Sequence, residues 1–215
     1  MITHYIHRGL VKKNFKENTI PAFKYSFKKN YGIETDLHVT KDNRFVCFHY
    51  YNLKGKFKIN KKIKDINYGY LKKITKKKKA TVPLLDDLFK LSKNKYPLLL
   101  EIKPILNEKN LFIFKNLIKK RKNYKIISFK EKNLENLYKI NKKIPLGMTF
   151  RASANFKRIK IKSQKKHIKF LVLEKKFLSN KYVGSIKKKT YYYTIKSRRL
   201  FIKYKNKKNL IFRYL

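Results

Sequence analysis

The chain has 215 residues, with 59 Lys and Arg against 12 Asp and Glu, which gives a formal net charge of +47 at pH 7. This length is enough for one domain built around a single hydrophobic core. The apolar runs are far shorter than the roughly 18 residues of a membrane span, and the single cysteine, Cys47, excludes an internal disulfide, so we predict no transmembrane helix and a buried, unreactive thiol.

In chain order, apolar runs of strand length alternate with amphipathic stretches of helical length, which is the pattern of repeated βα units around a parallel sheet. About eight such strands predict an α/β fold, a single compact (β/α)8 barrel within one domain at residues 1–215. The predicted strands are residues 2–6, 32–37, 45–48, 97–102, 125–128, 145–149, 168–173 and 190–195.

The first helix is predicted from its start signal, since Asn18 and Thr19 are capping residues and Pro21 suits the first turn. Residues 51–82 are rich in lysine and show no clear element except a turn of helix near 66–71. We therefore predict a basic insertion loop after the third strand, which either covers a site or is a solvated segment without a role. Further helices are predicted at residues 84–91, 110–120, 131–140 and 197–204.

So strong a positive charge suggests nucleic acid or an anionic membrane surface as a partner. However, the enriched residue types, Lys, Asn, Ile, Phe and Tyr, are all served by AT-rich codons, and the lysines are spread along the whole chain. We attribute most of the charge to genome composition and expect no nucleic-acid partner, while peripheral contact with an anionic membrane stays open. The amino terminus lacks a signal-peptide pattern, so we expect a cytoplasmic location.

Polar motifs stand at the ends of the first four predicted strands, and catalytic groups of a (β/α)8 barrel lie at the carboxyl ends of its strands. Glu34 and Asp36 are two residues apart on one strand, so both side chains point to the same face. Glu101 and Lys103 repeat this spacing on the fourth strand. Three carboxylates can therefore converge on one cation. Oxygen ligands suit a hard ion, so these residues predict a divalent metal, Mg2+ or Ca2+.

In their order and spacing, the motifs of this chain resemble those of the glycerophosphodiester phosphodiesterase family. The resemblance is strong over residues 1–149, and beyond them only traces such as Tyr193-Thr194 are similar. The matching runs are His7-Arg8-Gly9, Glu17-Asn18-Thr19-Ile20-Pro21-Ala22-Phe23, Glu34-Thr35-Asp36-Leu37, Thr40-Lys41-Asp42, Val46 with His49, Val82-Pro83-Leu84-Leu85-Asp86-Asp87-Leu88, Glu101-Ile102-Lys103, Ile127-Ser128-Phe129 and Ile144-Pro145-Leu146-Gly147.

The resemblance implies a TIM-type barrel that hydrolyses small-molecule glycerophosphodiesters to glycerol 3-phosphate and an alcohol, with a divalent metal and two histidines. Imidazole titrates near neutral pH and can exchange protons with both the entering and the leaving oxygen, in an order that the resemblance leaves open. The residues carried over by position are His7 and His49 for acid–base catalysis, Glu34, Asp36 and Glu101 for the metal, and Arg8 and Lys103 for the phosphate.

Departures from the family pattern bear on the expected activity. Tyr50 follows the second histidine, where the family usually has aspartate, which affects the orientation or basicity of His49. In the family, tryptophan is frequent at the position of Tyr193, and an acidic residue is common at the position of Arg213.

Two alternative functions stay open. One is a catalytically impaired relative that binds nucleic acid or anionic lipid through its basic surface; the other is an enzyme for lysophospholipid-like substrates, if residues 51–82 form an apolar mouth.

Overall fold

A computed structural model of the chain, which describes residues 2–12 and 16–213, contains a closed barrel of parallel strands. The strands are β1 (Tyr5–His7), β2 (Gly32–Val39), β3 (Phe45–Cys47), β4 (Leu98–Ile102), β5 (Tyr124–Ser128), β6 (Leu146–Phe150), β7 (Phe170–Glu174), β8 (Thr190–Ile195) and β9 (Asn209–Phe212). All except β3 are parallel, and they pair in the order β1-β2-β4-β5-β6-β7-β8-β9, with β9 returning to β1. This is the predicted (β/α)8 barrel of TIM type.

Helices alternate with the strands along the chain. The first predicted helix is present, and the four helices predicted with bounds lie within two residues of them. None of the helices within the described ranges has both the length and the apolar character needed to cross a bilayer. The helices are α1 (Ile20–Lys28), α2 (Lys54–Phe57), α3 (Tyr68–Lys77), α4 (Leu85–Ser92), α5 (Glu108–Ile118), α6 (Glu131–Ile140), α7 (Phe156–Ser163), α8 (Lys181–Gly184) and α9 (Arg198–Tyr204).

The structure corrects one of the eight predicted strands. β3, predicted at residues 45–48 as the third strand of the barrel, pairs antiparallel with β2 and lies outside the closed ring. Only residues 40–44 join the two strands, and parallel strands need a far longer crossover, so the chain turns back in a hairpin. The eighth barrel strand is β9, which is absent from the predicted strands and pairs with β8 and β1.

Strand β4 shows how alternation sorts side chains between the core and the barrel interior. Leu98, Leu100 and Ile102 belong to the main hydrophobic core between the strands and the helices. Leu99 belongs to a separate cluster inside the barrel, and Glu101 lines a cavity at the carboxyl end of the strands. Because successive side chains of a strand point to opposite faces, one apolar run supplies both the core and the site.

An apolar layer fills the barrel interior. Gly147 leaves the space that Phe170 occupies in this layer, since a Cβ on Gly147 would lie 2.2 Å from the Phe170 ring. Ile127, Val172 and Ile211 of the same layer also line the cavity, so the layer is the floor of the site. Its buried members are Tyr5, Leu99, Ile127, Phe170, Val172, Tyr191 and Ile211.

Residues 51–82 form a helical insertion with a hydrophobic cluster of its own, and the prediction of a loop was wrong. The insertion contains α2, a 3-10 helix at Ile63–Asp65, and α3, whose start overlaps the predicted turn near 66–71. The Tyr51 hydroxyl donates a 2.8 Å hydrogen bond to the backbone carbonyl of Lys103, which ties the insertion to the edge of the site. The sequence obscures this cluster because its apolar residues stand among many lysines. The cluster consists of Val46, Phe48, Leu53, Phe57, Ile63, Ile66, Leu71, Ala80 and Val82.

Candidate active site

Three carboxylates meet at the carboxyl ends of β2 and β4. Asp36 and Glu101 are register partners in the sheet, and Glu34 lies two residues before Asp36 on the same face. Each of the three offers an oxygen within 4.8 Å of the others. All three residues are buried, with exposed fractions of 7% or less. The structure thus brings together the three residues that the sequence predicts as metal ligands.

Two cations flank the carboxylates. Lys103 Nζ lies 3.0 Å from Asp36 Oδ1 and 2.8 Å from Glu101 Oε1. Arg8 Nε lies 3.0 Å from Asp36 Oδ2. These are the two residues predicted to bind phosphate, and both line the same cavity as the carboxylates. Arg8 and Lys103 offset part of the negative charge of the three carboxylates, most strongly that of Asp36, which contacts both cations.

The three carboxyl groups respond differently to this environment. Burial raises the pKa of Glu34 well above its ordinary value, and the charges of Asp36 and Glu101 add to the rise. Burial, together with the charge of Asp36, raises the pKa of Glu101 to about 7. Burial alone would also raise the pKa of Asp36, but Lys103 and Arg8 lower it overall. The protein's own cations therefore suffice to keep one carboxylate ionised, and a further positive charge would favour ionisation of the other two.

The donor set fits a divalent cation. Glu34 Oε2 is buried and accepts no hydrogen bond from the described residues, and its nearest ion-pair partner is His7 Nε2 at 3.9 Å. A buried acceptor without a partner is costly, which indicates that another species satisfies it. Because the converging ligands are carboxylate oxygens, a hard ion such as Mg2+ or Ca2+ suits them.

The two predicted acid–base histidines reach the cavity by different routes. His7 ends β1, a strand of the barrel. His49 follows the antiparallel strand β3, which returns along β2 so that the Phe48 amide donates a 2.9 Å hydrogen bond to the Asp36 carbonyl. His49 thereby comes level with Asp36, and both imidazoles line the cavity. The β2–β3 hairpin therefore positions His49 at the cavity, as the barrel strand β1 positions His7.

Burial favours the neutral form of both imidazoles. Burial, together with the charge of Arg8, lowers the pKa of His7 to about 3. Burial lowers the pKa of His49 to about 4, although Asp36 opposes this change. The Nδ1 atoms of both rings are buried and have no hydrogen-bond partner within residues 2–12 and 16–213. Each ring can therefore accept a proton.

Aromatic and imidazole rings surround His49. Tyr50, which replaces the aspartate usual in the family, meets the His49 ring edge-on with centroids 4.6 Å apart. His38, which matches no family motif, is buried on β2 with Nε2 3.3 Å from the His49 carbonyl oxygen. Its own ring meets Tyr51 edge-on at 4.8 Å. His38 therefore supports the backbone that carries His49.

The turn after β1 depends on unusual backbone angles. Arg8 and Gly9 have positive φ angles of 59° and 76°, and a Cβ on Gly9 would lie 2.9 Å from the Phe23 ring. Asn18 fixes this turn. Its backbone N–H donates to the Arg8 carbonyl, and its side-chain Oδ1 accepts from the Thr35 hydroxyl, both at 2.8 Å. Asn18 thus joins the loop to β2 and does not cap α1, whose N-cap is Thr19.

Glu17 and Arg213, two residues without a predicted role, extend the charged network. Glu17 Oε1 lies 3.3 Å from Arg8 Nη1, and Oε2 lies 2.7 Å from Arg213 Nη2. Arg213, which replaces a common acidic residue, is therefore paired with an acid from the loop after β1. A signal for Glu17 was available, because it is one of only 12 acidic residues and lies in a matched motif.

The site opens into a cavity of about 390 Å3, and all seven predicted site residues line it. None of the residues 51–82, all of which the structure describes, is part of the lining. This segment therefore contributes no apolar wall to the cavity itself and contacts only its edge, through Tyr51 and Lys56. The rest of the lining comes from β5 to β9 and the residues that follow these strands: Ile127, Phe129, Thr149, Arg151, Val172, Tyr193, Thr194, Lys196, Ile211 and Arg213.

Comparison with protein families agrees with this arrangement. Residues 7–212 match the sequence profile of the Glycerophosphoryl diester phosphodiesterase family. The chain belongs to this family. The match extends from His7 almost to the last described residue, so it also covers the region after residue 149 where the motifs alone show only traces.

Two curated relatives carry names of the phosphodiesterase family or a related activity. A lysophospholipase D from Homo sapiens is 31% identical over 162 residues, which are 66% of this chain and 50% of the relative. A glycerophosphodiester phosphodiesterase from Bacillus altitudinis is 32% identical over 95 residues, 40% of this chain and 38% of the relative. The matched segments thus span half or less of the length of these relatives.

Solved structures of glycerophosphodiester phosphodiesterases and related phosphodiesterases share the fold. The enzyme from Thermotoga maritima has a TM-score of 0.81 at 20% identity, covering 99% of this chain and 94% of that one. A phosphodiesterase from Oleispira antarctica, in complex with its product sn-glycerol-3-phosphate, has a TM-score of 0.81 at 21% identity, covering 98% and 92%. At this identity the likeness concerns the fold.

Proposed function

We propose that this protein hydrolyses glycerophosphodiesters to glycerol 3-phosphate and an alcohol, using a divalent metal. The observation that carries the proposal is the convergence in one cavity of three buried carboxylates, two imidazoles and two cations. Membership of the phosphodiesterase family supports it, as does the glycerol 3-phosphate held by the Oleispira antarctica structure.

Glu34, Asp36 and Glu101 would hold the metal, either Mg2+ or Ca2+. When bound, such an ion would polarise the phosphoryl group and help to neutralise its charge. Arg8 and Lys103 would bind the nonbridging phosphate oxygens, whose negative charge rises as the phosphorus is attacked. Both cations stand beside Asp36 and are fixed by it, so they require little rearrangement when the diester binds.

His7 and His49 would transfer the protons. One neutral imidazole takes a proton from the attacking oxygen, which is that of water or of the substrate's own glycerol hydroxyl, as the new P–O bond forms. The other imidazole, protonated in the complex, gives a proton to the alcohol oxygen as its bond to phosphorus breaks. Attack by water gives glycerol 3-phosphate directly. Attack by the glycerol hydroxyl gives a cyclic phosphate, and water then adds to its phosphorus while a ring P–O bond breaks and the two imidazoles exchange roles. An anionic phosphate beside the rings raises their affinity for protons, which makes the protonated form accessible.

We also propose that residues 1–215 are one domain in the cytoplasm. A single barrel with one attached insertion accounts for the described residues, which supports the first part. Cys47 is buried and unpaired, and burial raises the pKa of its thiol, so the chain has no disulfide that would need an oxidising compartment.

The test is release of glycerol 3-phosphate from glycerophosphocholine and glycerophosphoethanolamine, with and without EDTA. We expect hydrolysis that chelator abolishes and that Mg2+ or Ca2+ restores. His49→Ala should lower kcat at least about a hundredfold, whereas His167→Ala, outside the cavity, should not. Unchanged hydrolysis in EDTA would refute the metal mechanism, and full activity of His49→Ala would refute the role of His49.

A further inference from the structure

The wall of the cavity opposite β2 and β4 around the barrel has a different character. The acidic residues that line the cavity, Glu34, Asp36 and Glu101, all belong to β2 and β4. After the ends of β6 and β8 the lining contains Arg151 and Lys196, and neither forms an ion pair with a carboxylate of the described residues. This wall therefore presents positive charge that the protein itself leaves uncompensated.

A buried hydroxyl in the same wall has no partner. Thr149, on β6, is 3% exposed and lines the cavity, and its Oγ1 makes no hydrogen bond with the described residues. Thr149 and Arg151 are two residues apart, so strand alternation directs both toward the cavity. A buried hydroxyl without a partner is costly unless a ligand or water satisfies it. The hydroxyl and the guanidinium thus offer two donors on the same wall of the cavity.

The aromatic part of this wall already carries a cation. The Arg151 guanidinium carbon lies 5.3 Å from the centroid of the Phe129 ring, and Tyr193 meets the same ring edge-on at 6.3 Å. A quaternary ammonium headgroup, which aromatic rings commonly bind, would meet a guanidinium here. The contact with Phe129 also restricts the position of the Arg151 guanidinium.

We propose that Thr149, Arg151 and Lys196 form a subsite for a second phosphate group, carried by the alcohol part of the diester. The inference rests on the proposed function, since it assigns the substrate class of the same site: glycerophosphodiesters whose alcohol is itself phosphorylated. Arginine, lysine and a hydroxyl are donors suited to phosphate oxygens. A choline-type alcohol is the class that this wall disfavours.

The experiment compares glycerophosphoglycerol, the same diester with a phosphate on its terminal hydroxyl, and glycerophosphocholine. For the wild type we expect kcat/KM to be about tenfold higher for the phosphorylated diester than for glycerophosphoglycerol, and lowest for glycerophosphocholine. In the double variant Arg151→Gln with Lys196→Gln, the ratio of kcat/KM for the phosphorylated diester to kcat/KM for glycerophosphoglycerol should fall to about one. The control, Arg158→Gln with Lys139→Gln, removes the same charge from exposed residues outside the cavity and should keep the wild-type ratio.

Calorimetric binding of the phosphorylated diester in the presence of Ca2+ separates this inference from the proposed function. Hydrolysis of all three substrates with a ratio that the double variant leaves unchanged would overturn the subsite and leave the function standing. No hydrolysis, but binding at least about tenfold weaker in the double variant than in the control, would overturn the function and support the subsite. Equal binding by both variants would overturn the subsite in either case.

Discussion

The two halves of the barrel mouth use charge in opposite ways. On the side of β1, β2 and β4, opposite charges lie within ion-pair distance and are buried, as Asp36 between Lys103 and Arg8 shows. On the side of β6 and β8, Arg151 and Lys196 are exposed and have no carboxylate partner among the described residues. In the first half, paired charges fix one another's positions. In the second half, the unpaired cations Arg151 and Lys196 are available to contact a ligand in the cavity. We therefore assign chemistry to the first half and selection of the alcohol to the second.

The largest expected loss of activity comes from a substitution in the first half. Glu101→Gln removes one of the three converging carboxylate charges while keeping the shape of the side chain. We expect hydrolysis to fall at least about a hundredfold, in line with the loss of a metal ligand. The rise in Tm that excess Ca2+ produces in the wild type should also shrink, because binding to the folded state stabilises it.

Glu108→Gln is the matched control for Glu101→Gln, because Glu108 is exposed at the start of α5 and outside the cavity. It should retain both the wild-type activity and the wild-type response to Ca2+. If Glu101→Gln kept both as well, the division of the mouth into a chemical and a selective half would be wrong.

A smaller effect is expected on the second half. Thr149→Val removes the unpartnered hydroxyl and should lower kcat/KM for the phosphorylated diester about three- to tenfold. The free energy of unfolding should stay the same or rise by up to about 1 kcal/mol, because no protein hydrogen bond is lost. Activity assays and denaturant titrations together check both effects.

Thr75→Val gives the opposite result if this reasoning holds. The Thr75 hydroxyl is buried like that of Thr149, but it donates to the Leu71 carbonyl at 2.8 Å and accepts from the Val82 amide at 3.2 Å. Its loss should lower the free energy of unfolding by about 1–2 kcal/mol and leave kcat/KM unchanged. A Thr149→Val protein that loses stability and keeps its activity would contradict the role of Thr149 in binding.

The smallest effect concerns the attachment of the helical insertion to the first half. Tyr51→Phe removes the hydrogen bond to the Lys103 carbonyl and should lower kcat about two- to threefold, because Lys103 is then held less firmly. Tyr51 is 52% exposed, so the free energy of unfolding should change by less than about 1 kcal/mol. Tyr70→Phe, exposed on α3 and outside the cavity, should change neither quantity. Equal kcat for both variants would show that the insertion does not support the site.

Much of the first half was predictable from the sequence. Acidic residues are scarce in this chain, so Glu34, Asp36 and Glu101 stand out, and their spacing fixes which face of each strand they share. The histidines were predictable from their motifs, but the route to His49 was not, because a short apolar run does not reveal whether a strand is parallel or antiparallel. The hairpin became evident only from the pairing of β3 with β2.

Little of the second half was predictable from the sequence. Arg151 and Lys196 are two among 59 basic residues, and nothing in their local sequence distinguishes them from the rest. Thr149 was predicted only as the last residue of a strand. The missed strand β9 and the helical insertion share this cause, since their apolar residues lie in lysine-rich stretches where the periodic signal is weak.

The sequence by itself determined the class of fold, the strands that carry the carboxylates and the face on which each carboxylate lies, because strand alternation is a local property of the backbone. Only the tertiary structure decided that β9 closes the ring, that β3 turns back to bring His49 beside Asp36, and that unpaired cations gather on the opposite wall. These outcomes depend on which distant segments pair when the barrel closes, and local residue patterns do not encode that pairing.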